Sequence, residues 1–164
     1  MNDSLTFLVQ RLAETLQAHQ MKVVVAESCT GGGIAQAMTD IPGSSEWFER
    51  GFVSYSNESK MELLNVSPET LDTYGAVSVE TAAEMARGAL QNSHAQISVA
   101  VTGIAGPDGG TADKPVGTVC FAWCSHKVGT MTTSTQFKGD RQAVRIQSTL
   151  MALEGLLEML EKHQ

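Results

Sequence analysis

Apolar residues recur at Leu5, Leu8, Leu12 and Leu16, with Val9 beside them, which is the spacing of one helix face. Asp3 or Ser4 is placed to cap that helix. Residues 21–26 hold three consecutive valines, and a short β-branched run predicts a buried strand. The run closes at Glu27-Ser28-Cys29-Thr30 and three glycines, inside which a helix through Ile34 and Met38 begins. A turn over residues 41–45 leads through Trp47 and Phe48 to a strand-like stretch at 52–55. Ser56, Ser67 and Ser78 read as caps of three helices that run toward Leu64, Gly75 and Leu90, with Pro68 at the first position of the middle one. Residues 95–102 predict a strand, 103–117 a loop rich in Gly and Pro, and 118–124 and 130–137 two more strands. The last of these is polar and suits a sheet edge. Asp140 caps a final helix whose Ile146, Leu150, Leu153, Leu157 and Leu160 form a heptad-like stripe. That stripe reads first as core packing and second as a seam between copies.

Helices and strands alternate early and strands cluster late, which predicts an α/β fold: one three-layer domain with a mixed sheet over residues 1–164. Its 164 residues suffice for a core without covalent staples. With 42% hydrophobic and 18% charged residues, the chain is neither disordered nor low in complexity. A net charge of −7 argues against nucleic acid as a partner, although a local pocket can still hold a small anion. No signal-peptide layout and no membrane-length apolar run is present, so no membrane partner and a cytoplasmic location are expected. Cys29, Cys120 and Cys124 read as reduced thiols, and the histidines make no ligand pattern with them, so no metal is expected.

Three polar, glycine-rich segments follow predicted strands or open helices, where α/β folds place their ligands. In the first, residues 26–32, backbone N–H groups around Ser28, Thr30, Gly31 and Gly32 can hold an anion or an oxyanion, unless the segment is only a tight turn. Cys29 within it is a possible nucleophile, though an inert buried thiol is the commoner state. The second, residues 43–60, gathers Ser44, Ser45, Tyr55, Ser56 and Lys60. None of the three segments contains histidine, so a serine nucleophile there needs Lys, Tyr or a carboxylate as its base, and a desolvated Lys60 can serve. Spacing alone favours a solvated Lys60. The third, residues 102–117, runs from Thr102 through Gly103, Gly106, Gly109 and Gly110, with enough Gly and Pro to define a path close to a ligand. Arg141 and Arg145 at the start of the last helix suit a phosphate. The residues by themselves thus point to a small-anion site and leave serine and cysteine chemistry open.

Taken together, AESCTGG at 26–32, GSSEWFERGFVSYSNESK at 43–60, GAVS at 75–78, TGIAGPDGGTADKPVGTV at 102–119 and GDRQAVR at 139–145 resemble the competence-damage-inducible (CinA) C-terminal domain family. The stretches follow the family's order over nearly the whole chain. Departures are few: Asn65 stands where relatives often have Gly, and Ile146 and Ser148 where they often have a charged residue and Ala. The resemblance implies an α/β/α fold and hydrolysis of the carboxamide of nicotinamide mononucleotide to the acid and ammonia, a pyridine-nucleotide salvage step. It implies a serine–lysine mechanism with no cofactor and no metal. Carried over residue by residue, it makes Ser45 the nucleophile, with Ser28 its rival, and Lys60 the base. Tyr55 would relay or position protons. Ser28, Thr30 and Thr102 would orient the carboxamide or serve its oxyanion. The loop carrying Gly103, Gly106, Gly109 and Gly110, with Arg141 or Arg145, would hold ribose and phosphate. The expected partners are a small nucleotide substrate and, in a homo-oligomer, further copies of the chain. Two other readings stand beside this one: a catalytically silent nucleotide- or partner-binding module, and a cysteine amidase built on Cys29.

Overall fold

The valine run alternates between two cores. Val23 and Val25 face one hydrophobic cluster, whereas Val24 and Ala26 face another. The computed structural model describes residues 3–163. Among them the strands are β1 (Val23–Glu27), β2 (Phe48–Val53), β3 (Ile97–Gly103), β4 (Thr118–Ser125) and β5 (Gly129–Gln136). The helices are α1 (Asp3–Ala18), α2 (Gly33–Thr39), α3 (Asn57–Leu64), α4 (Pro68–Tyr74), α5 (Val79–Gln91) and α6 (Arg141–Glu161). The sheet order is β2-β1-β3-β4-β5, with β1 parallel to both neighbours and β4 antiparallel to β3 and β5. The sheet is therefore mixed, and polar β5 lies at its edge.

One face of the sheet carries the larger side chains, Ile97, Val99, Phe121 and Trp123 among them, packed under α1, α2 and α6. The other face is paved with Ala100, Cys120, Ala122 and Cys124, beneath α3 and α5. Small residues there bring α5 down onto the sheet, and the Ser98 hydroxyl donates to the Ala86 carbonyl at 2.8 Å. Leu153, Leu157 and Leu160 of the stripe in α6 are buried, so the stripe serves the core; Ile146 at its start is 41% exposed.

The serine caps read from sequence hold. Ser56, Ser67 and Ser78 each accept from the backbone N–H three residues on, and Asp140 does the same for α6. Asn65 ends α3 at φ +59°, a left-handed position that Asn tolerates better than other side chains. Asp3 and Ser4 lie inside the first turn of α1 rather than before it. The strand expected at residues 52–55 begins earlier and stops at Val53. Beyond Val53 the Ser54 and Tyr55 carbonyls turn to the Lys60 side chain and accept from its Nζ. No helix among the described residues is long and apolar enough to cross a membrane.

Gly155 of α6 lets that helix sit on the indole of Trp123, whose Nε1 donates to the Ala152 carbonyl at 2.9 Å. A Cβ there would lie 2.0 Å from Trp123 Cε2. Gly155→Ala is expected to destabilise by about 1–3 kcal/mol through overpacking. The check is urea unfolding, with a lower midpoint at an unchanged slope.

Candidate active site

Parallel β1, β2 and β3 end side by side, and the chain turns there three times. Ser28 follows β1, Ser54 and Tyr55 follow β2, and Thr102 lies near the end of β3. The Ser28 N–H donates to the Val101 carbonyl at 3.0 Å, and this bond ties the first turn to β3. A cleft of about 200 Å³ opens over these ends, with Ser28, Cys29, Lys60 and Thr102 on its floor and Tyr55, Asn57 and Arg141 at its rim.

Lys60 reaches that floor from α3 and is 1% exposed. Its Nζ lies 3.0 Å from the Ser54 carbonyl, 3.2 Å from the Tyr55 carbonyl and 3.2 Å from Ser28 Oγ. Among the described residues no salt bridge reaches it. Burial pushes its pKa below the ordinary 10.5. In the neutral amine, the two N–H bonds serve the two carbonyls and the lone pair faces Ser28, whose hydroxyl then donates to it. In that form the pair has the geometry that a serine nucleophile and a lysine base require.

The turn that presents Ser28 is organised by Glu27, a fully buried carboxylate that the sequence reading did not single out. Its Oε1 accepts from Thr30 Oγ1 at 2.6 Å, Gly32 N at 3.2 Å and Ile34 N at 3.0 Å, and its Oε2 accepts from Ala35 N at 2.9 Å. Its carbonyl accepts from Ser54 N at 2.7 Å and Ser54 Oγ at 3.2 Å. One residue therefore caps α2 and ties the Ser28 turn to the segment that holds Lys60. Gly31 and Gly32, at φ +59° and +100°, let the backbone fold around the carboxylate. The available signal was a carboxylate closing an apolar strand just before a helix, a pattern that satisfies helix N–H groups.

This capping changes the roles expected of several residues. The Thr30 hydroxyl and the Gly32 N–H are used by Glu27, and the Gly31 N–H donates to the Ser28 carbonyl. They do not offer an anion site to the cleft. Ser45 is not beside Lys60. It is exposed, in a 3-10 turn (Ser44–Glu46) that precedes β2, whereas the partners of Lys60 follow that strand. A strand of six residues spans roughly 17–20 Å, so Ser28 and not Ser45 is the serine beside Lys60. Tyr55 contributes its carbonyl to Lys60, while its phenol sits at the rim, 3.4 Å from Arg141 Nη2. Arg141 also donates through Nη1 to the Gly106 carbonyl at 2.8 Å. Arg145 faces away from the cleft and donates to the Cys29 and Thr30 carbonyls, each at 3.2 Å. Thr102 donates to the Ala76 carbonyl at 2.8 Å and so holds the cleft wall. Gly103 lines the cleft, whereas Gly106 and Gly110 pack on Val116 and Gly109 lies near Ile104, so the loop is largely folded on itself. Burial raises the Cys29 thiol to about 12, which leaves essentially no thiolate near neutral pH.

A family model described as the CinA C-terminal domain matches residues 5–160. The nicotinamide-nucleotide amidohydrolase PncC of Enterobacter agglomerans is 51% identical over 152 residues, 93% of each chain. The protein of the same name from Escherichia coli strain K12 is 50% identical over 157 residues, 95% of each chain. Among solved structures, the competence/damage inducible protein CihA from Agrobacterium tumefaciens superposes with a TM-score of 0.95 at 42% identity, covering 98% of both chains.

Two outcomes follow for the site. Cys29 should resist iodoacetamide at pH 7 to 8 in the folded protein and react fully in urea, as mass spectrometry would show. Because Lys60 has a lower pKa folded than unfolded, the unfolded chain binds more protons between the two values. Stability should therefore rise with pH across that window and level off above 10.5. Denaturant midpoints measured against pH should lose this part of their slope in Lys60→Met.

Proposed function

This chain belongs to the CinA C-terminal domain family, and on that footing we propose that it is a nicotinamide-nucleotide amidohydrolase with a serine–lysine mechanism. It hydrolyses the carboxamide of nicotinamide mononucleotide to nicotinate mononucleotide and ammonia. Support for the activity comes from relatives at about 50% identity over nearly their whole length. The observation that carries the mechanism is the buried Lys60 amine 3.2 Å from Ser28 Oγ.

In this reading Ser28 Oγ attacks the carboxamide carbon while its proton passes to Lys60. The resulting ammonium returns that proton to the amide nitrogen as the C–N bond breaks, and ammonia leaves. An ester on Ser28 remains. Water attacks it, again giving a proton to Lys60, which restores the Ser28 hydroxyl as the acid departs. Ser54 and Tyr55 hold the amine so that its lone pair stays on Ser28. Arg141 supplies positive charge at the rim of a chain whose net charge is −7, and the phosphate of the nucleotide belongs there.

An ammonia-release assay with nicotinamide mononucleotide tests this. Ser28→Ala and Lys60→Ala should each lose roughly a thousandfold or more of kcat, while exposed Ser45→Ala stays within about twofold. Ammonia release that survives Ser28→Ala would sink the mechanism. For wild type, kcat/KM should rise with pH as Lys60 loses its proton, with a midpoint below 10.5.

A further inference from the structure

The floor and the rim of the cleft differ sharply in burial. Ser28, Lys60 and Thr102 are 7%, 1% and 1% exposed, whereas Tyr55, Asn57 and Arg141 are exposed. Asn57 is the first residue of α3, yet it does not cap that helix. Ser56 does so, accepting from Ser59 N at 3.1 Å. Asn57 stands three residues before Lys60, a spacing that places two side chains on one helix face with Cβ atoms about 5–6 Å apart. The same face of α3 thus sends an amine to the floor and leaves a carboxamide at the rim. Among the described residues that carboxamide has no hydrogen-bond partner, and Asn is a poor helix former. The fold makes no use of it.

We infer that Asn57 reads the ribose of the substrate and is a specificity-determining residue. The inference rests on the amidohydrolase reading, which puts the scissile carboxamide against Ser28. The pyridine ring then points outward, and the sugar attached to it arrives at the rim. A neutral amide offers an acceptor, Oδ1, beside a donor, Nδ2, which matches two vicinal hydroxyls: one donates to Oδ1, and the other accepts from Nδ2. Arg141, the cation of the same rim, complements a phosphate and has no corresponding advantage for an uncharged diol.

The test compares Asn57→Ala with wild type in ammonia release from nicotinamide mononucleotide, with nicotinamide riboside and free nicotinamide as competitors. The KM for the mononucleotide and the inhibition constant of the riboside should both rise about tenfold, the size of one or two lost hydrogen bonds. kcat should stay within about twofold, and inhibition by nicotinamide should not change. Asn57→Asp keeps an acceptor but brings a negative charge to the rim, so it should retain the riboside better than the mononucleotide. Matching melting curves establish that the variants are folded, and if Asn57→Ala fails this check, Asn57→Asp and Asn57→Ser carry the comparison. Unchanged constants overturn the inference. So does a weakening confined to the mononucleotide, which would mean a phosphate contact, and so does a fall in kcat alone, which would mean a contact at the reacting carboxamide. If wild type releases no ammonia from the mononucleotide, the amidohydrolase reading falls and this inference falls with it.

Discussion

A lysine amine held out of water by one hydroxyl and two carbonyls is the constraint on which this molecule is arranged. Burying an ammonium without a counter-charge is costly, and that cost pushes the Lys60 pKa below its ordinary 10.5. Each neighbour is then committed. The chain leaving β2 has to turn the Ser54 and Tyr55 carbonyls to the amine, α3 has to start at once behind Ser56 so that Lys60 points back over the strand ends, and Ser28 has to turn its hydroxyl toward Nζ.

Glu27 is the complement of Lys60. It too is buried and charge-bearing by type, but it is surrounded by donors, three backbone N–H groups and one hydroxyl. The carboxylate draws the start of α2 and the Ser28 turn into one unit, and its own carbonyl fastens that unit to Ser54. The polar groups released where the strands end are satisfied by one another, and a rigid floor results. The unequal faces of the sheet assist: small side chains let α5 lie close on the sheet, and α3, which carries Lys60, packs against α5, while the larger core under α1, α2 and α6 lies on the other face.

Electrostatics divides the cleft in the same way as burial does. Burial of the floor disfavours charged forms, with an amine below its usual pKa and a thiol far above its own. The rim keeps a solvated guanidinium, a phenol and a free amide. A substrate with an uncharged reactive end and an anionic far end meets both parts correctly only in one orientation.

The sequence alone determined the helices and their serine caps, the two-sided valine strand, the polar edge strand, the α/β class and the family. These depend on periodicity and on contacts within three or four residues, so they are readable along the chain. It also brought out Ser28, Tyr55, Lys60, Thr102 and Arg141 as site residues. Only the tertiary structure decided how they combine. Ser45 is nearer to Lys60 in sequence than Ser28 is, but a whole strand runs between Ser45 and Lys60, whereas parallel pairing of β1 with β2 sets Ser28 beside the end of that strand. The lowered pKa of Lys60, the inertness of Cys29, the capping by Glu27 and the turn of Arg145 away from the cleft likewise follow from which groups are buried together. Burial and strand register are long-range properties, and spacing along one chain does not encode them locally.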